Sequence, residues 1–403
     1  MKINAYIAEF TCEKRYIDTF LDKNAPNWAK YDPELGYVLK TCSMRDGIDD
    51  SYTAGTYMPG GERKTVQYAA ARCRINTYGD SFTQCHQVSD GETWQEYLAG
   101  HLCEPVRNFG VGGYGVWQAY TRMLRHEGNP EQSAEHIIFN IFSDDHMRSI
   151  DRWRWIRIGA FRKEIKEVTP HYFHATPWTY LRMNPSTRLF ESHPSLCPKE
   201  EDLYRLCDRE FLYEEFKDDL VVHLEQAKNG GEFDPAILRR AADMLDMQID
   251  LSDTDRAARS AADIHNVYSL RSTAFVLEEM RRFCDARGKK LLLVLSYAAP
   301  ELAAGLLEQP RFDQWLLEYI RERDYRCVDL IAAHKREFAT YRLDAAAYIK
   351  KYYINGFGHY APSGNHFCAY TLRDDVVDML EPKPAPYAAP KMAGAATLAS
   401  RLA

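Results

Sequence analysis

The sequence predicts an α/β protein, a three-layer α/β/α arrangement with a five-stranded parallel sheet between helices. Two observations predict it. Five short apolar runs, "RINTYG", "PVRNFG", "EHIIFNIFS", "KKLLLVLSY" and "YRCVDLI", are separated by amphipathic helical stretches, and strands that alternate with helices pair in parallel. The runs are also apolar enough to be covered on both faces, as parallel strands are.

Taken in order, residues 1 to 71 are rich in Tyr, Gly and Asp and carry turn signals such as "YDPELGY" and "MPGGERK"; they are expected to form an N-terminal extension of short strands and loops. The main domain is expected over 72 to 381. Its first run ends in Gly79-Asp80-Ser81 and is followed by a helical stretch, "GETWQEYLAGHL". The second run leads into Asn108-Phe109-Gly110-Val111-Gly112-Gly113-Tyr114-Gly115, and the third into Ser143-Asp144-Asp145-His146. Residues 146 to 287 exceed an ordinary crossover and are read as an insertion. Its Arg and Trp interleave in "HMRSIDRWRWIRIGAFRKEIK", and "PHYFHATPWTYLRMNPS" is aromatic. Such a segment can stack a sugar or hold an anion, but an amphipathic surface with Arg stems laid along it is the expected reading. The interval ends in "RSTAFVLEEMRRFCDARG", a helix with Phe275, Val276, Met280, Phe283 and Cys284 at helical spacing, closed by Gly288. After the fifth run, "NGFGHYAPSGNHF" places His359 before a turn and a final helix, and 382 to 403 form a Pro- and Ala-rich tail.

Composition narrows the function classes. With 51 Lys plus Arg against 58 Asp plus Glu, the net charge of -7 argues against a general nucleic-acid binder, which needs a basic surface. No segment approaches 18 uninterrupted apolar residues, so no membrane span is expected. The opening "MKINAYIAEFTCEKRYID" has no apolar leader core, and the 10 cysteines lack CxxC or zinc-like spacing. They read as small buried hydrophobes of a cytoplasmic protein.

In an open α/β sheet, ligands bind at the carboxyl ends of the strands. A serine, a histidine, a glycine-rich backbone and acidic groups all fall at that edge. A serine hydroxyl is a poor nucleophile until a base such as His359 takes its proton, and glycine N–H groups can approach a developing oxyanion closely. Ser81 and Gly113 are the natural donors.

These blocks resemble the SGNH (GDSL-like) esterase/acylhydrolase superfamily. "YGDSF" is similar to that family's nucleophile block, "NFGVGGYG" to its oxyanion-glycine block and "GHYAPSGNHF" to its histidine block, in family order over 72 to 145 and 289 to 381. The resemblance implies Ser81 as nucleophile, His359 as base and Gly113 as oxyanion glycine, in a flavodoxin-like fold. Two positions depart from it. The family's Gly-x-Asn-Asp is here Phe142-Ser143-Asp144-Asp145, so the oxyanion asparagine becomes Asp144, a carboxylate that repels an oxyanion unless it is protonated or turned away. Three residues before His359 stands Gly356 instead of Asp, with Asn355 the nearest polar side chain. The site then works as a Ser-His dyad, or an acid such as Asp144 or Asp145 comes from elsewhere.

Competing readings are weaker. Gly110-x-Gly112-x-x-Gly115 is literally GxGxxG, but it follows the second strand and lacks the acidic residue about 20 positions on. Cys85, His86, Asp144, Asp145 and His146 have no helix-face ligand spacing for a metal. Asp80, or Ser81 itself, can serve simply as a helix cap. The expected function is hydrolysis of an O-acyl ester, with a short acyl group such as acetyl on a carbohydrate or other small polar molecule, without cofactor or metal. The alternatives are acyl transfer at the same residues, or a carbohydrate-binding or scaffold protein that has lost the reaction.

Overall fold

The computed structural model describes residues 1–25, 27–158, 176–356 and 358–388. Its centre is a five-stranded, all-parallel sheet: β1 (Ile75–Tyr78), β2 (Val106–Asn108), β3 (His136–Phe142), β4 (Lys290–Ser296) and β5 (Cys327–Asp329). The spatial order is β2-β1-β3-β4-β5, the doubly wound order with its switch point between β1 and β3. Register follows from the apolar runs: Ile75 faces His136 and Val106, Leu292 faces Ile138, and Val294 faces Val328. Every residue of β3 is buried, because helices cover both faces and leave no polar side to alternate.

Connections set the layers. A short helix, α1 (Ser81–Gln84), follows β1, and α2 (Trp94–Leu102) leads on to β2. Helices α3 (Val116–Glu127) and α4 (Asp145–Ile150) follow β2 and β3. The crossover from β3 to β4 ends in α5 (Thr254–Ala286), 33 residues long, which packs on α3 and α4. Its last turn closes at Gly288, whose φ of +62° is one that glycine reaches without a Cβ penalty. A long C-terminal helix, α6 (Pro362–Met379), starts on a proline that needs no helical N–H partner and packs against α2.

The first 71 residues contribute two antiparallel pairs, Ala29–Asp32 with Gly36–Leu39 and Cys42–Arg45 with Tyr52–Gly55. Arg63 ties the second pair to the domain. Its buried guanidinium donates to the carbonyls of Gln84, Cys85 and Val88 and pairs with Asp90 at 2.8 Å. Loops with unpaired carbonyls thereby gain donors.

The Arg-Trp stretch of the insertion differs from the surface its pattern suggests. Trp153 and Trp155 are core residues, while Arg148 and Arg157 hold carboxylates instead of lying along a solvated face. Residues 159–175 and 389–403 lie outside the described part, and with them the rest of that stretch and most of the expected tail. All ten cysteines are free, six of them buried. No described helix is long and apolar enough to cross a membrane.

Candidate active site

β1 delivers its last residues to the carboxyl edge and turns sharply into α1. Gly79, at φ 150°, makes that turn. Asp80 then caps α1, its Oδ1 accepting the Phe82 N–H at 2.8 Å. The cap is therefore Asp80, and the Ser81 hydroxyl is left for other work. Phe82 anchors the helix, stacked on Phe142 at 4.4 Å and edge-on to Tyr360 at 4.9 Å. Burying such a ring is worth about 1.5–3 kcal/mol, which fixes the backbone beneath Ser81.

His359 arrives from the turn before α6. Its Nε2 lies 2.8 Å from Ser81 Oγ, and its ring packs 5.2 Å from that of Phe82. The Ser81 hydroxyl has a second, longer neighbour, Asp80 Oδ2 at 3.2 Å. On the far side of the ring, Nδ1 lies 2.7 Å from Gln87 Oε1. Gln87 was not among the residues expected from sequence. Asn355, which was, has an exposed side chain in a left-handed turn at φ 54° and does not hold His359; the orienting amide comes from Gln87.

Burial disfavours a charged His359, and the nearby His86, Arg148 and Arg154 repel a proton further, so its pKa falls well below the usual histidine value despite Asp46. The ring is neutral near pH 7, the state in which Nε2 can accept a proton.

The loop after β2 lies against Ser81, and its N–H groups are nearly all engaged. Gly110 donates to Asn108 Oδ1, Val111 to the Gly79 carbonyl, Gly112 to Gln84 Oε1, Tyr114 to the Val111 carbonyl and Gly115 to Gln118 Oε1. Among the described residues, Gly113 is the member of 110–115 whose N–H has no acceptor. The N–H of Ser81 likewise has none. Both groups are therefore unspent donors, the kind of group that can stabilise an oxyanion.

The same loop explains the GxGxxG pattern without a nucleotide. A Cβ on Gly112 would come within 2.6 Å of Gln84 Oε1, and one on Gly115 within 2.5 Å of the Ser149 nitrogen. These glycines let the loop pack on α1 and α4. The five residues weighed as metal ligands also separate: Cys85 Sγ lies against Gln95, His86 beside Asp46, and His146 Nδ1 against Thr273.

Asp144 is not an oxyanion donor here. Burial alone would raise its pKa, but Arg157 and Arg148 outweigh that and hold it well below the usual carboxylate range. Its oxygens take Arg157 Nη1 at 2.7 Å and Arg148 Nε at 2.8 Å. An ionised carboxylate has no hydrogen to offer. Asp145 is not the missing acid either, since its oxygens accept from Arg148 at 2.7 Å and from the Phe142 N–H at 2.9 Å. Arg148 is the hub of this region: Nη1 also reaches Asp80 Oδ2 and the Tyr114 carbonyl, each at 3.1 Å. It links the residue before Ser81 to the residue after Gly113. No short motif marks it, because its partners are scattered from Asp80 to Asp145.

No family model and no curated protein matches this chain. Among solved structures, one likeness is to a structure described as that of a G-D-S-L family lipolytic protein from Desulfitobacterium hafniense DCB-2. The identity is 11%, the likeness covers 75% of this chain and 100% of that one, and the TM-score is 0.34. The chemistry of the site therefore rests on its own geometry.

Proposed function

We propose that this chain is a serine hydrolase acting on O-acyl esters, with Ser81 as nucleophile and His359 as general base. The observation that carries the reading is the 2.8 Å approach of a neutral imidazole nitrogen to a serine hydroxyl at the carboxyl edge of the sheet. The hydroxyl proton passes to His359 Nε2 as Oγ attacks the acyl carbon. The N–H groups of Ser81 and Gly113 take the developing oxyanion, and the imidazolium returns its proton to the leaving alcohol. Water, activated by the same nitrogen, then releases the acyl group. No cofactor takes part in this scheme. Arg148 holds Asp80 and the Tyr114 carbonyl, so it keeps the two oxyanion donors in register without meeting the substrate.

For the substrate we propose a short acyl group, such as acetyl, on a carbohydrate or other small polar alcohol. The support is that no long apolar segment stands ready to sheath a fatty chain. Ser81 and His359 belong to one domain with the segment before β1 packed on it, so the division at residue 71 is proposed as a feature of sequence texture, not as a boundary between independent units. Hydrolysis of p-nitrophenyl esters of increasing chain length tests the reading. Turnover of the acetyl ester that disappears in Ser81→Ala is expected; equal turnover by the variant contradicts it. An added sugar alcohol that becomes acylated at the expense of hydrolysis assigns the same residues to acyl transfer.

A further inference from the structure

We propose that Gln87 is the positioning residue that holds His359 as a base, on a support supplied by the hairpin before β1. The inference rests on the hydrolase reading of Ser81 and His359. Its starting point is a residue bonded at both ends. The Gln87 side-chain Nε2 donates to the Asp46 carbonyl at 2.8 Å, and Oε1 accepts the His359 backbone N–H at 3.1 Å. A carbonyl can only accept and a backbone N–H can only donate, so each end independently fixes which way the amide faces. The oxygen must point to His359. Since Oε1 also lies 2.7 Å from His359 Nδ1, that nitrogen carries the hydrogen, and Nε2 is left bare toward Ser81. This is the tautomer that a general base needs.

The support is built into the backbone. Gln87 sits at φ 70°, a left-handed conformation that a residue with a side chain adopts at a cost. Asp46 lies in the turn between the paired strands Cys42–Arg45 and Tyr52–Gly55. Its carboxylate accepts from Thr53 Oγ1 at 2.5 Å and lies 2.9 Å from His86 Nε2. The hairpin, Gln87 and His359 thus form one chain of contacts from outside the sheet to Ser81. The charged and titratable groups that act on the ring are His86, Arg148 and Arg154, which disfavour its protonation, and Asp46, which favours it. An amide in that company orients the ring but adds no negative charge to favour the imidazolium.

The test compares the full-length protein with Gln87→Ala and Gln87→Glu by two measurements. The first is the nitrogen-15 shift pattern of the His359 ring, which reads the tautomer without turnover. The second is the rate at which a fluorophosphonate labels Ser81, measured against pH and probe concentration; Oγ displaces fluoride from phosphorus and His359 takes the proton. We expect the hydrogen on Nδ1 in the unmutated protein. We expect labelling slowed by about tenfold or more in Gln87→Ala, in the maximal rate and not in the probe concentration for half-saturation. In Gln87→Glu the rate is restored and its acid limb moves up by about one pH unit, because a carboxylate favours the protonated ring. A hydrogen on Nε2 in the unmutated protein, or a Gln87→Ala protein labelled at the original rate with an unmoved acid limb, overturns the proposal. If Gln87→Ala does not fold, the tautomer and the Gln87→Glu profile still decide. An unmutated protein with the Nδ1 hydrogen that resists labelling counts against the hydrolase reading, whereas labelling that ignores Gln87 counts against this inference alone.

Discussion

Ser81 Oγ and His359 Nε2 are 278 residues apart in sequence and 2.8 Å apart in space. The ring is pushed toward its neutral form by burial and then by His86, Arg148 and Arg154. A base must be unprotonated to act, and a lowered pKa keeps it so into acid solution. Ser81 labelling should therefore hold its rate from pH 8 down through about 6.5, where an ordinary histidine is half protonated. The decline should come only below that. A midpoint at or above 6.5 in the rate profile would show a ring less buried than this one.

Burial lowers the pKa of several other histidines: to about 3 in His126 and His334, to about 4 in His136 and His146, and well below the usual value in His265. Unfolding returns them to about 6.5. Between those values the unfolded chain binds more protons than the folded one, so acid favours unfolding. Each such histidine costs up to about 1.4 kcal/mol per pH unit as pH falls from about 6.5. The carboxyls raised by burial (Asp145, Asp151, Glu96, Glu301 and Asp375) run the other way but are fewer than these five histidines with His359. Urea unfolding should show stability dropping from pH 6.5 to 4, and a flat curve over that range would contradict the assignment.

Asp144→Asn restores the asparagine of the resembled family but removes the charge shared by Arg148 and Arg157. Both guanidiniums are largely buried, with side chains 5% and 12% exposed. Leaving them short of a counter-charge should cost about 3 kcal/mol, seen as a lower denaturant midpoint, with no gain in ester turnover. A more active and equally stable variant would show that Asp144 is not needed as the counter-ion.

Gly110→Ala should disrupt the site from outside it. The new Cβ would fall 2.5 Å from the Thr83 carbonyl carbon and closer still to the Gln84 nitrogen, which are backbone atoms that cannot swing aside. The loop and α1 must separate, at a cost of about 1–3 kcal/mol or more, and the N–H groups of Ser81 and Gly113 lose their relation. Stability and Ser81 labelling should fall together. Gly288→Ala, where a Cβ meets nothing within 4 Å, should lose a comparable 1–2 kcal/mol from its left-handed backbone while leaving labelling unchanged.

The parts of this molecule that were legible in sequence are the ones that local pattern dictates. Strands buried on both faces read as apolar runs, and "EHIIFNIFS" and "KKLLLVLSY" became β3 and β4 with ends within a residue or two. Gly-Asp-Ser after a strand and a histidine before a long C-terminal helix marked the two residues that meet. What stayed hidden depends on contacts between distant segments. Gln87 owes its place to a left-handed backbone and to Asp46, 41 residues earlier, and neither leaves a mark in composition. Asp144 looked like a flaw in an oxyanion site because its partners, Arg148 and Arg157, read as part of an amphipathic surface. Asn355 was the nearest amide in sequence to His359, but its side chain is exposed in a left-handed turn, and the amide bonded to the ring is that of Gln87.

The central claim, an activated serine at position 81, is tested most directly by fluorophosphonate labelling followed by peptide mass spectrometry. The unmutated protein is compared with His359→Ala, each shown to be folded. The account predicts modification at Ser81 at pH 7 that is lost in His359→Ala. Labelling absent at every pH, or present equally without His359, would contradict it and leave "YGDSF" as a capped turn beside a histidine.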